Sequence, residues 1–180
     1  MAKPTKGAWA RLKRLGRFLK SRPNLARRVQ LLEKNPKFLD CHCDTDWAGE
    51  EDDEEEKRKS TDGGQIAVGG AVVHAWSSTQ PGLPSLSSAE AEFRGMVRWA
   101  KEALYVQKLF AFMGIDLEIR TWSDSSPAVQ VAKRLGAGKM RHLETQCPWI
   151  QELVKTKRVT VHKVKGELNP ADIYTKEVPR

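Results

Sequence analysis

Four carboxylic acids lie where a strand or a helix is predicted to begin or end. Asp44 and Asp124 close predicted strands, whereas Glu90 and Asp172 lie in the first turn of predicted helices. Hard divalent cations prefer carboxylate oxygens as ligands. Two such cations about 4 Å apart can stabilise both the attacking and the leaving oxygen of a phosphodiester. The chain therefore contains the residue types of a metal-dependent phosphodiesterase, provided that the fold brings the acids together.

Three of these acids also have a purely local explanation. Ser87-Ser88-Ala89-Glu90 is a capping box, in which the glutamate closes on backbone amides at the start of a helix. Asp172 is favoured by the dipole of the helix that Asn169-Pro170 opens, and Asp124 before Ser125 is an ordinary turn residue. Spacing alone leaves the metal site and these structural roles open. Cys41-His42-Cys43 lacks the second paired motif of a tetrahedral zinc site, which favours buried small residues on a strand.

The predicted elements follow the order β, β-hairpin, α, β, α, α, β, α. The strands cover 38–44, 65–68, 71–78, 117–124 and 159–165, and Gly69-Gly70 forms the tight turn of the hairpin. The helices cover 87–113, 126–135 and 142–155, with a last helix from Asn169, and Pro148 is expected to kink the third of these. A hairpin followed by alternating strands and helices predicts a mixed sheet with helices packed against it.

The positive charge of the chain is concentrated at its beginning. The 180 residues carry a net charge of +8, yet residues 1–40 hold twelve Lys/Arg and two Asp/Glu, a net of +10, and the remainder is at −2. Trp9, Leu12, Leu15 and Leu19 recur at helical spacing among the basic residues, which predicts a basic amphipathic helix ending near Pro23. Such a helix suits docking on a neighbouring domain, nucleic-acid contact, a membrane surface or a calmodulin-type target, or organelle import.

Several exclusions follow from composition. No run approaches the ~18 apolar residues of a transmembrane helix, and three cysteines do not make a disulfide scaffold. Residues 1–20 lack the apolar centre of a secretory signal. We therefore expect a protein of the cytoplasm or nucleus, with the run of acidic residues at 50–56 as a solvated loop.

Seven local motifs occur in one order along the chain, and together they resemble the RNase H region of copia-type LTR retrotransposon polyproteins. They are Cys43-Asp44-Thr45-Asp46-Trp47-Ala48-Gly49, Arg58-Lys59-Ser60-Thr61-Asp62-Gly63-Gly64, Trp76-Ser77-Ser78-Thr79-Gln80, Leu86-Ser87-Ser88-Ala89-Glu90-Ala91-Glu92-Phe93, Trp122-Ser123-Asp124-Ser125-Ser126, Arg141-His142-Leu143-Glu144 and Asn169-Pro170-Ala171-Asp172-Ile173-Tyr174-Thr175-Lys176. Residues 1–36 resemble the connector that follows reverse transcriptase in those polyproteins, and residues 37–180 the RNase H-like domain.

The resemblance implies a definite fold and activity. The fold is α/β, a five-stranded mixed sheet flanked by helices and preceded here by the basic N-terminal helix. The activity is hydrolysis of the RNA strand of RNA·DNA hybrids with two Mg²⁺ or Mn²⁺ ions. Carried over by position, the catalytic and metal-binding acids are Asp44, Glu90, Asp124 and Asp172.

The resemblance also implies contacts to the nucleic-acid backbone with little sequence readout. The candidate contacts are Arg94, Arg98, Lys139 and Arg141. A reverse transcriptase on another chain is a possible further partner, and no membrane partner is expected. The alternative to an active ribonuclease is a catalytically silent relic of the same domain that binds nucleic acid or docks on reverse transcriptase.

Overall fold

The computed structural model describes residues 5–24, 29–30, 32–47, 59–134 and 146–176. The chain divides into two compact units, Met1–Gln30 and Leu31–Arg180. The run of acids at 50–56 lies outside the described residues, so its expected loop stays a prediction. The boundary predicted after residue 36 also stays a prediction.

The first unit contains helix α1, Lys6–Ser21. Thr5 caps it, because its hydroxyl oxygen accepts a hydrogen bond from the Ala8 amide at 3.0 Å. The helix has no buried residue. The predicted apolar stripe is half exposed along its whole length, and Phe18 joins it.

The second unit is built on a five-stranded sheet in the order β3-β2-β1-β4-β5. The strands are β1 Phe38–Asp46, β2 Thr61–Val68, β3 Ala71–Thr79, β4 Glu118–Ser123 and β5 Val159–Lys163. β1, β2 and β3 pair antiparallel, whereas β1, β4 and β5 pair parallel. The mixed sheet confirms the prediction. Gly69 and Gly70 make the β2–β3 turn at φ values of 55° and 80°, where residues with a Cβ are disfavoured.

Among the described residues of this unit are three α-helices: α2 Ser88–Phe112, α3 Ser126–Lys133 and α4 Gln146–Lys155. α2 buries Phe93, Met96, Trp99, Ala100 and Ala103, and these side chains share one core with the inward residues of the sheet. Two of those inward residues are Cys41 and Cys43, which confirms that the cysteines are buried small residues.

One helix prediction stays a prediction, and another is corrected by the structure. Pro148 is the third residue of α4 as the structure describes it, and residues 142–145 of the predicted helix lie outside the described residues, so the predicted kink stays a prediction. The last predicted helix is a short 3-10 helix, Pro170–Tyr174, hereafter the terminal 3-10 helix. Asn169 before it and Thr175 after it are hydrogen-bonded to Cys43 and Asp44 of β1, respectively.

Candidate metal centre

Asp44 and Asp124 meet at the carboxyl end of two parallel neighbours, β1 and β4. Cys43 is paired with Ser123 in this ladder, so the next residue of each strand is an aspartate. Asp44 is 3% exposed and belongs to the last residues of β1, while Asp124 directly follows β4. The parallel arrangement therefore places two of the four predicted acids side by side.

The third carboxylate of the group comes from α2, and it is Glu92. One carboxylate oxygen from each of Asp44, Glu92 and Asp124 can be chosen so that all three lie within 4.8 Å of one another. Glu92 lies one helical turn before Gly95 and Met96, on the side of α2 that faces the sheet. We call these three residues the carboxylate cluster.

Glu90, the glutamate selected from the sequence, does not join this cluster. Its amide donates to the Ser87 hydroxyl at 3.2 Å, and its carboxylate accepts from the Leu86 amide at 3.0 Å. The same carboxylate pairs with Arg94 at 2.8 Å. The structure thus gives Glu90 the capping role. Helical periodicity contained the missing signal, because the two glutamates lie about 200° apart around the helix and only Glu92 falls on the core stripe.

The carboxylate cluster is crowded with negative charge. Burial, together with the charges of Asp44 and Asp124, raises the pKa of Glu92 to about 8. Burial and the neighbouring Asp44 also raise the pKa of Asp124. Oε2 of Glu92 and Oδ1 of Asp124 are buried and have no hydrogen-bond partner. Buried oxygens of this kind are costly unless a cation or a proton compensates them, so the donor set fits a hard divalent ion.

Asp172 approaches this group from the terminal 3-10 helix. Nδ2 of Asn169 donates to the carbonyl oxygen of Cys43 at 2.9 Å, which anchors the terminal 3-10 helix beside the end of β1. Asp172 lies near enough for its charge to contribute to the raised pKa of Asp124, although the three-acid cluster does not include it. Its Oδ1 atom is buried without a hydrogen-bond partner.

Lys176 brings a positive charge to these acids. Its Nζ atom lies 2.8 Å from Oδ2 of Asp172 and 3.6 Å from Oδ2 of Asp44. Partial burial lowers its pKa, but the hydrogen bond to Asp172 and the nearby carboxylates outweigh that effect and raise it. The Thr175 hydroxyl also donates to Asp44. The Asn169–Lys176 segment therefore supplies one acid, one cation and one hydroxyl to this edge of the sheet.

Two of the four predicted nucleic-acid contacts lie together on α2. Arg94 and Arg98 line a cavity of about 680 Å³, and Lys101 adds a third cation. Both arginines are held in place: Arg94 donates to the carbonyl oxygen of Leu83 at 2.7 Å, and Arg98 donates to the Ser78 hydroxyl. The other two predicted contacts, Lys139 and Arg141, lie outside the described residues.

In sequence, no protein-family model matches the chain. It is 28% identical over 141 residues to the retrovirus-related Pol polyprotein from transposon TNT 1-94 of Nicotiana tabacum, covering 77% of this chain and 10% of that protein. It is also 28% identical over 190 aligned positions to the Pol polyprotein from transposon RE2 of Arabidopsis thaliana, covering 100% of this chain and 12% of that protein. The chain thus spans about a tenth of the length of these relatives.

None of the described helices is long and apolar enough to span a membrane.

Comparison with solved structures concerns the fold. LC11-RNase H1, isolated from compost by a metagenomic approach, superposes with a TM-score of 0.57 at 18% identity, covering 77% of this chain and 92% of that one. The same enzyme in complex with an RNA/DNA hybrid gives 0.54 at 16% identity, covering 76% and 92%. The prototype foamy virus protease–reverse transcriptase gives 0.53 at 17% identity, covering 84% and 22%. This chain is therefore similar in sequence to a segment of the Pol polyproteins of plant transposons, as its motifs predicted, and its fold is RNase H-like.

Proposed function

We propose that this chain is a retrotransposon-derived ribonuclease H, which hydrolyses the RNA strand of RNA·DNA hybrids with the help of divalent cations. One observation carries the proposal: three carboxylates from β1, α2 and the end of β4 converge within 4.8 Å, in an RNase H-like fold. A strand end, a core-facing helix position and a turn residue have no local reason to point at one place. A shared cation gives them that reason.

The proposed cofactors are two Mg²⁺ or Mn²⁺ ions. Asp44, Glu92 and Asp124 would hold them, with Asp172 completing the set, and Glu92 replaces Glu90 in the assignment made from the sequence. The buried oxygens without hydrogen-bond partners on Glu92, Asp124 and Asp172 support this donor set. When bound, such ions make water a better nucleophile and stabilise the charge on the leaving oxygen.

The residues of the chain itself provide position and charge. β1 and β4 fix their two aspartates through the parallel ladder, and the packing of α2 orients Glu92 toward them. Lys176 partly neutralises Asp44 and Asp172, so that the acids remain close together. Thr175 further holds one oxygen of Asp44 through its hydroxyl.

The proposed substrate is an RNA·DNA hybrid bound through its backbone. Three cations line one cavity on α2, Arg94, Arg98 and Lys101, and they suit phosphate contacts that carry no sequence information. Lys139 and Arg141 are proposed as further contacts. Binding should weaken with salt, because each neutralised phosphate releases counterions.

We propose that residues 1–36 are a basic connector and residues 37–180 the nuclease domain. We further propose that a reverse transcriptase on another chain is a partner. The half-exposed apolar stripe of α1 supports such docking. A cytoplasmic or nuclear location is consistent with three cysteines that form no disulfide.

The test is cleavage of a hybrid labelled on its RNA strand, with Mg²⁺ and then Mn²⁺. Wild type should cut the RNA strand only with metal, and Asp44→Asn should abolish cutting. Asp40→Asn is the matched control, because Asp40 lies on the same strand but pairs with Arg120 at 2.7 Å, away from the carboxylate cluster. A folded wild type that binds the hybrid without cutting it, and binds as well or better with Asp44→Asn, would instead support the silent nucleic-acid-binding alternative.

A further inference from the structure

A buried polar network lies beside the carboxylate cluster and takes no part in it. Gln80 directly follows β3 and is 5% exposed, and Asp62 on β2 is 3% exposed. Nε2 of Gln80 donates to Oδ1 of Asp62 at 2.6 Å, and Oε1 of Gln80 accepts from the Ser85 hydroxyl at 3.1 Å. The Thr45 hydroxyl donates to the same Asp62 oxygen at 3.2 Å. We call Thr45, Asp62, Gln80 and Ser85 the Gln80 network.

The network reaches α2 through a second bond of the same amide. Nε2 of Gln80 also donates to the carbonyl oxygen of Ala91 at 2.7 Å, in the first turn of the helix. The Gln80 backbone amide donates to the carbonyl oxygen of Ser60 at 2.7 Å, so the glutamine is itself held to the strand edge. One side chain therefore bonds β2, the loop before α2, and α2 at once.

The two outer ends of the network are the sequence neighbours of two cluster acids. Thr45 follows Asp44, and Ala91 precedes Glu92. Between them α2 lies directly against the network, because a Cβ atom on Gly95 would come within 2.4 Å of the Thr45 hydroxyl oxygen. The distance between the first turn of α2 and the end of β1 is thus fixed by buried hydrogen bonds and close contact.

We propose that Gln80 is a positioning residue that sets the separation of Glu92 from Asp44 and thereby the affinity of the carboxylate cluster for divalent cations. This inference rests on the proposed metal-dependent function. Residues that orient metal ligands without touching the metal typically change its affinity by 10–100-fold when they are replaced. The network acts through the backbone, since it bonds Thr45 and Ala91, the residues next to the two acids.

The test measures Mn²⁺ binding by calorimetry, without substrate. Gln80→Met keeps the length of the side chain and removes its hydrogen bonds, and it should weaken Mn²⁺ binding by about 10–100-fold. Gln151→Met is the matched control: Gln151 is also a buried glutamine, and its Nε2 donates to the carbonyl oxygen of Val131 at 3.0 Å, far along the chain from the network. This control should bind Mn²⁺ as wild type does, even if its melting temperature falls equally.

The outcomes distinguish a failure of the proposed metal-dependent function from a failure of the proposed role of Gln80. Wild type without any Mn²⁺ binding would overturn the proposed function, and this inference with it. Wild-type affinity in Gln80→Met, or an equal loss in Gln151→Met, would overturn the role of Gln80 alone. If Gln80→Met does not fold, Thr45→Val decides, because it removes only the bond next to Asp44. Unchanged Mn²⁺ affinity in that variant would refute the inference.

Discussion

Replacing Glu90 and Glu92 by glutamine, one at a time, should have opposite effects on the melting temperature and on hybrid cleavage. Glu90→Gln keeps an acceptor for the Leu86 amide but leaves Arg94 without its anion. The Glu90 side chain is 2% exposed and that of Arg94 is 22% exposed. Breaking one side of a buried pair costs about 3–5 kcal/mol. Because Arg94 retains its bond to Leu83 and some solvent, we expect the low end, about 3 kcal/mol.

That cost corresponds to a fall in melting temperature of about 6–12 °C, at 2–4 °C per kcal/mol for a chain of this size. Glu92→Gln removes instead a carboxyl group whose pKa burial and two neighbouring acids raise to about 8. The metal-free protein should therefore melt at a higher temperature near neutral pH, because glutamine removes the cost of burying this carboxyl group. In the cleavage assay the order reverses: Glu90→Gln should retain activity, and Glu92→Gln should lose it.

Calorimetric melting in EDTA and in Mg²⁺, together with hybrid cleavage, measures both effects. Wild type and Glu90→Gln should each gain stability when Mg²⁺ is added, because the ion binds the native state only. Glu92→Gln should gain little. Loss of the Mg²⁺ effect and of cleavage in Glu90→Gln, with both retained in Glu92→Gln, would refute the assignment of Glu92 to the metal centre.

Four further predictions concern Glu92, Lys176 and Gly95. Cation binding needs ionised Glu92, whose pKa is about 8 in the metal-free protein. Mn²⁺ affinity, measured by calorimetry, should therefore rise about tenfold per pH unit from about pH 6 and level off above pH 8. Since the folded protein holds this proton more tightly than the unfolded chain, metal-free stability should fall over the range from about pH 4.5 to 8, and a flat profile would contradict this. Lys176→Met removes an ammonium group that a divalent ion must displace, so Mn²⁺ should bind on the order of tenfold more tightly; Lys163→Met, whose lysine contacts a serine hydroxyl, should show no change. Gly95→Ala should lower the melting temperature, because its Cβ atom would come within 2.4 Å of a hydroxyl oxygen of β1, whereas Gly16→Ala in α1 has open space and should not.

Much of the fold could be predicted from local pattern. Alternating residues and the Gly69-Gly70 pair located the strands and the hairpin, because strand periodicity and left-handed turn geometry depend on neighbouring residues only. Asp44 and Asp124 were proposed as site residues through the family motifs, because spacing alone left them open, and the parallel pairing of β1 and β4 brings them together. The ordered motifs then predicted the similarity to transposon Pol polyproteins, which the comparisons confirm.

Helical periodicity favours Glu92 over Glu90, but the tertiary structure was needed to bring Glu92 next to the two strand-end acids. Both lie in the first turn and a half of α2, and the capping box drew attention to Glu90. Which of them faces the acids depends on the rotation of the helix about its own axis. That rotation is set by the burial of Phe93, Met96 and Trp99 against the sheet and by the close approach at Gly95.

The sequence by itself therefore determined the elements, their order, the strand-end acids and the family resemblance, because each depends on local periodicity or on a short motif. Only the tertiary structure brought Glu92 to the two strand-end acids, placed Lys176 among the acids, and formed the buried bonds of Gln80 to Asp62 and Ala91. These features join residues that are distant in sequence. Their geometry arises from packing, which no local pattern encodes.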